Sequence, residues 1–143
     1  MEKILWSSKS AEYETPRATY EALNQEFGFT LDPCCTSENH KCCKYYTKED
    51  DGLSKSWSGE TVFCNPPYGR EIGKWVAKCR HEADHGATVV MLIPARTDVA
   101  WFHDYIYGIS EIRFLRGRLR FNAHKENAPF PSMVVVMRGS DRF

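Results

Sequence analysis

A chain of 143 residues with 42% hydrophobic side chains is long enough for one folded domain with a real core. It shows no long apolar run, no signal-peptide core and no twin-arginine start, so no membrane span is expected and a cytoplasmic location is. Its 19 basic and 19 acidic side chains balance, yet the net charge runs from −4 over residues 1–60 to −1 over 61–112 and +5 over 113–143, a basic end suited to a phosphate backbone.

There is no internal repeat and no low-complexity segment, which predicts a single domain over 1–143. Met1 to Ser10 read as loosely ordered, with Trp6 docking on the surface. In Tyr13-Glu14-Thr15-Pro16, Thr15 is a good helix N-cap and Pro16 suits a first turn. The helix should run to Phe27, with Tyr20, Leu23 and Phe27 on one face, and stop at Gly28. Phe29 to Ser37 read as a strand and a turn through Asp32, Pro33 and Cys34. The adjacent pairs Cys34-Cys35 and Cys42-Cys43, with His40 between, match no common zinc spacing, so no metal is expected. They read as small apolar side chains near a pocket, and Cys64 and Cys79 as core. Tyr45 and Tyr46 suggest a very short strand. Asp50 and Asp51 follow Asp32 by 18 and 19 residues, about where nucleotide-binding folds place a ribose-binding carboxylate; Glu49 reads as a solvated turn residue. Trp57 should pack beside the next strand.

That strand, Thr61 to Cys64, leads into Asn65-Pro66-Pro67-Tyr68. Two prolines can neither continue a ladder nor enter a helix, so the backbone leaves the sheet along one stiff path. The path holds an amide, a backbone carbonyl without a local partner and an aromatic ring in fixed relation. Such a loop suits methylation of an aromatic amine. Adenine's exocyclic nitrogen is a poor nucleophile because its lone pair is delocalised. The side-chain oxygen of Asn65 and the carbonyl of Pro66 would accept its two hydrogens and draw the nitrogen toward a tetrahedral form. Tyr68 would stack on the base. This is positioning and electrostatic preorganisation.

Arg70 to about His85 should be helical, with Ile72, Trp75, Val76 and Cys79 inward and Arg70, Lys74, Lys78 and Arg80 outside. Thr88 to Ile93 is a continuous apolar run, as in a central parallel strand, and brings Arg96 to the same sheet edge as Asn65. Asp98 should cap a short helix carrying Trp101, Phe102, Tyr105 and Ile106 as core residues. Glu111–Leu115, Arg118–Asn122 and Ser132–Met137 read as late strands. Arg116, Arg118 and Arg120 alternate with Leu119 and Phe121, which puts the arginines on one face for phosphate contact. Phe130, between Pro129 and Pro131, is either a core plug or a ring for a flipped base.

Asn65-Pro66-Pro67-Tyr68 is similar to the signature tetrad of S-adenosylmethionine-dependent amino-methyltransferases, and Thr15-Pro16 resembles their segment at the donor's methionine end. Together with Leu31-Asp32-Pro33-Cys34, Tyr45-Tyr46-Thr47, Asp51-Gly52-Leu53, Trp57 and Gly117-Arg118-Leu119-Arg120-Phe121, the order resembles the phage-type DNA N-6-adenine methyltransferase family over residues 13–138. The resemblance implies an α/β fold, a trimmed Rossmann-like sheet, mostly parallel with a C-terminal antiparallel hairpin. It is trimmed because the stretch from Asp32 to Trp57 has no room for two more strands and helices. It implies S-adenosyl-L-methionine held by Thr15, Pro16, Asp32, Pro33, Cys34, Asp50, Asp51 and Asn65, with catalysis at Asn65, Pro66, Pro67 and Tyr68. Double-stranded DNA with a flipped-out adenine would meet Arg70, Arg96, Arg116, Arg118, Arg120 and Phe130. If phage-encoded, the protein would work in the host cytoplasm. The chain departs from the wider superfamily in lacking the glycines after Asp32-Pro33; Thr36 and Ser37 stand near their positions. Without a separate target-recognition domain, specificity should be relaxed or very short, or a homodimer should supply the DNA surface. RNA adenine or protein glutamine are alternative acceptors, and a non-catalytic nucleic-acid-binding module on the same fold is the alternative outside enzymology.

Overall fold

The computed structural model describes residues 13–122 and 124–139; Met1 to Ser10 and Trp6 lie outside them. Helix α1, Arg17–Phe27, ends at Gly28 in left-handed backbone, φ 68°, whose N–H returns to the Asn24 carbonyl at 2.8 Å. Strands β1, Leu31–Asp32, and β2, Lys44–Tyr45, are two residues each. β3 is Thr61–Cys64, α2 is Ile72–Asp84 and β4 is Thr88–Pro94. Then come α3, Ala100–Tyr105, β5, Glu111–Phe114, and β6, Ser132–Met137.

The strands form one sheet in the order β2-β1-β3-β4-β6-β5. The β1–β2, β1–β3 and β3–β4 pairs are parallel; β6 is antiparallel to both β4 and β5. This is the mostly parallel α/β sheet with an antiparallel C-terminal end that the pattern predicts. The closing pair is joined by a long connection through residues 115–131 rather than by a tight turn. No helix intervenes between β1 and β2, which is where the fold is trimmed.

Side-chain alternation assigns the two faces. Phe63 meets Tyr20 of α1 edge-on at 5.2 Å, while Cys64, one residue on, lies against Cys79 of α2. Hence α1 covers one face and α2 the other, with Trp101 of α3 packed on Gly73 of α2. β4 and β6 are buried almost throughout because both of their faces and both of their edges are covered. Trp57 is fully buried, stacked at 6.4 Å on Trp75, its indole N–H donating to the Gly52 carbonyl at 3.1 Å.

Several local expectations change. α2 starts at Ile72, after a turn through Gly69–Glu71. Arg80 is not outside: it is buried, donating to the carbonyls of Ile109 and Arg138 and to Ser110 and Asp84. Three acceptors at the ends of β5 and β6, and the Asp84 carboxylate one turn along its own helix, offset the cost of desolvating its charge. Lys78 is also drawn in, between Glu82, the Lys55 carbonyl and the Trp57 ring. The residue preceding α3 is Val99, with no side-chain cap, so Asp98 does not cap it. Arg118–Asn122 is not a strand; among the described residues its one β-bridge is Asn122 to Glu14. Its inside–outside alternation holds nonetheless, with Phe121 buried and the arginines exposed.

Candidate active site

β3 ends at Cys64 in register with Met91, and β4 continues for three more residues beside the departing loop. Asn65 therefore sits at the C-terminal edge of the middle of the sheet, the usual ligand side of an open α/β fold. Its amide makes three contacts. Nδ2 donates to the Tyr13 carbonyl at 2.7 Å and to Thr15 Oγ1 at 3.0 Å. Oδ1 accepts from the Tyr68 hydroxyl at 2.7 Å. A carbonyl can only accept, so the Tyr13 contact fixes which way the amide faces and leaves Oδ1 toward the loop.

Thr15 is buried, and its hydroxyl serves Asn65 rather than the helix. Pro16 takes the N-cap position with no side-chain cap. Thr15 is thus brought to Asn65 by a different bond from the one that local propensity suggests. Pro66 is buried, Pro67 is half-buried and Tyr68 is 7% exposed. Burial pushes the Tyr68 phenol well up, so it stays a neutral donor. The hydroxyl also lies 3.1 Å from the Leu92 carbonyl. Tyr13 stacks on the Tyr68 ring at 5.3 Å and 28°. Phe130 stands at 81° to Tyr68, so a planar group lying flat on Tyr68 meets Phe130 side-on.

The second cluster lies at the ends of β1 and β2. Asp32 is 3% exposed; its Oδ2 accepts from the Lys41 N–H at 2.9 Å and its Oδ1 from the Cys34 N–H at 3.3 Å. These bonds hold the glycine-free loop from Pro33 to Lys41 closed. Desolvation nevertheless dominates and raises the carboxyl to about 6. Cys35 Sγ donates weakly to the carbonyls of Asp32 and Tyr46, and burial pushes the Cys34 and Cys35 thiols up, so neither is a ready nucleophile. Among the described residues no group of three or more His, Cys, Asp and Glu is arranged to hold a metal ion. Asp50 is held by Thr47, whose N–H and hydroxyl donate to its Oδ2 at 2.9 and 3.0 Å, and these bonds lower its carboxyl. Asp51 is exposed, in left-handed backbone at φ 57°. A Cβ on Gly52 would stand 2.2 Å from the Pro33 carbonyl oxygen, so only glycine lets the Asp51 turn close on the end of β1.

Arg70, Arg96, Arg116, Arg118 and Arg120 are all exposed. Asn122 and His124 were not singled out by sequence. Asn122 binds Glu14 and Thr15, and His124 stacks on Tyr13 at 4.9 Å. Asn122 ends the segment that reads as a strand and His124 follows it, and no local pattern marks their partners more than 100 residues earlier.

The chain is similar to two curated phage proteins named DNA N-6-adenine-methyltransferase. The one from Escherichia phage T1 is 31% identical over 109 residues, covering 75% of this chain and 45% of that protein. The one from Haemophilus phage HP1 (strain HP1c1) is 28% identical over 116 residues, covering 80% of this chain and 63% of that protein. The chain thus spans about half to somewhat under two thirds of these relatives. The family model described as DNA N-6-adenine-methyltransferase (Dam) matches residues 5–141, and with this match over nearly the whole chain, Asn65, Pro66 and Tyr68 at the sheet's edge included, the chain belongs to that family.

Proposed function

We propose that this protein methylates the exocyclic N6 amine of adenine in DNA, using S-adenosyl-L-methionine, within a single domain. The observation that carries the reading is Asn65, whose amide is locked by Tyr13, Thr15 and Tyr68 so that Oδ1 faces the loop beside the buried Pro66. A carbonyl oxygen has two acceptor sites, so Oδ1 can take a substrate N–H while keeping Tyr68.

The residues fit an adenosyl donor at the ends of β1 and β2. The Gly52–Pro33 approach draws the exposed carboxylate of Asp51 to the rim, and Asp32 shapes the loop of Pro33 and Cys34 from inside. Asp51 would hold the ribose, with Asp50 bracing its turn. Thr15, Pro16 and Asn65 would border the methionine end. When bound, the donor supplies an electrophilic methyl group. Asn65 Oδ1 and the Pro66 carbonyl accept the two amine hydrogens and localise the nitrogen lone pair. Tyr68 holds the ring plane, and the buried surroundings exclude water from the nitrogen, which afterwards sheds its extra proton to solvent. The adenine reaches Asn65 by leaving the duplex stack, while Arg70, Arg96, Arg116, Arg118 and Arg120 hold phosphates.

Labelled methyl transfer to unmethylated DNA, RNA and bulk protein in parallel tests this. The expected product is 6-methyladenine in DNA, with Asn65→Ala slowing transfer by about 10²–10³-fold, as for loss of one preorganised polar contact to the reacting group. Label in RNA or protein would replace the acceptor. No label and no donor binding by calorimetry would leave a nucleic-acid-binding module.

A further inference from the structure

The Tyr13 ring lies in a slot made of four other rings. Tyr68 stacks below it at 5.3 Å and 28°, and His124 above it at 4.9 Å and 12°. Phe121 and Phe130 meet it edge-on, at 5.2 Å and 76° and at 5.4 Å and 68°. A floor, a roof and two walls of this kind hold a planar ring by both its faces and its edges, which is how proteins hold unstacked bases. The slot adjoins Asn65, which donates to Tyr13's own carbonyl. Tyr13 therefore covers a face of Tyr68, the ring on which the adenine stacks in the proposed reading.

We propose that the Tyr13 ring is a place-holder for the extruded adenine, and that the base takes over a slot in which His124 and Phe121 are base-holding residues alongside Tyr68 and Phe130. The proposal rests on the adenine-methylation reading and adds to it a displaced side chain and two substrate contacts. Only the ring has to move. The backbone behind it is pinned by Asn122, whose N–H donates to the Glu14 carbonyl at 3.1 Å and whose Nδ2 donates to Glu14 Oε1 at 2.7 Å and the Thr15 carbonyl at 3.3 Å. A turn about the Tyr13 Cα–Cβ bond vacates the slot and leaves the Asn65–Tyr13 backbone bond in place. A second observation concerns the roof: His124 Nε2 is buried and finds no hydrogen-bond partner among the described residues. The closed form leaves that nitrogen unpaired, whereas a nucleotide brings ring nitrogens and sugar and phosphate oxygens. Because a base must displace Tyr13, apparent affinity is reduced by the fraction of molecules with the slot filled.

Calorimetric titration with adenosine 5′-monophosphate, in saturating S-adenosylhomocysteine so that the donor pocket is taken, tests this without turnover. Tyr13→Ala should bind the nucleotide about tenfold more tightly than the native protein. Tyr13→Phe, which keeps the ring, should bind less tightly than Tyr13→Ala, and adding Tyr68→Ala to Tyr13→Ala should abolish the gain. A folded Tyr13→Ala that binds no more tightly, or a gain that survives loss of Tyr68, overturns the proposal. Should Tyr13→Ala fail to fold, Tyr13→Leu fills the volume with a chain that yields to a base and is held to the same criterion. Tighter binding without methyl transfer would support the slot while sinking the catalytic reading. Methyl transfer with nucleotide binding indifferent to Tyr13 would do the reverse.

Discussion

The two halves of the site are built in different ways. Around Asn65 and Tyr68, rings pack on rings, the amide is bonded at both ends, and the support is the middle of a buried sheet. Around Asp32 and Asp51 there are two-residue strands, a glycine-free loop and a carboxylate turned inward to hold that loop shut. The half around Asn65 is set by ring packing and a doubly bonded amide. The half around Asp32 is set by one buried ionisable group and one close glycine contact. Stability and pH response should therefore divide between them.

The largest effect is expected at Asp32. Its carboxyl is raised from the ordinary 3.8 to about 6 by burial. Between those values the folded state holds a proton that the unfolded state has lost, so stability falls as pH rises through this window and the loss is complete above it. The rise corresponds to about 3 kcal/mol. Denaturant titrations of the native protein and Asp32→Asn at pH 4 and pH 7.5 should converge or cross by roughly that amount in favour of the variant. A constant difference would show that the donor loop is not held by a titrating group. Gly52→Ala should come next, losing about 1–3 kcal/mol as the new methyl forces Pro33 and Asp51 apart, read as a lowered melting temperature. Tyr68→Phe should be smallest in stability, about 1 kcal/mol for the lost hydroxyl bond to Asn65, with no change in pH response. Were Tyr68→Phe to change the pH profile, the contrast between the two halves would fail.

The strand and loop around Asn65 were legible because their signals are local. The apolar run Thr61–Cys64 and the two prolines after Asn65 dictate a strand and a stiff exit whatever surrounds them. The run Thr88–Ile93 gave the neighbouring strand for the same reason. What escaped depends on distant partners. Thr15 reads as a cap, but the acceptor it offers is used by Asn65, fifty positions away. Arg80 reads as a surface charge on a helix, until the ends of β5 and β6 place carbonyls around it. Arg118–Asn122 alternates like a strand, yet β6 takes the place beside β5 where it would have paired, and among the described residues its one β-bridge is to Glu14. The ring slot joins residues near both ends of the chain, and no window of sequence contains it.

The position of β6 also sets a schedule for folding. It is the last strand in sequence, yet it lies between β4 and β5, antiparallel to both. Until residues 132–137 are available, β4 has an open apolar edge and β5 has no partner at all. The sheet therefore closes late, through contacts between distant parts of the chain, a topology that folds slowly. During synthesis, the nascent protein carries the finished Asn-Pro-Pro-Tyr loop on an unfinished sheet, and a ribosome that stalls before Ser132 leaves a sticky edge rather than a working half.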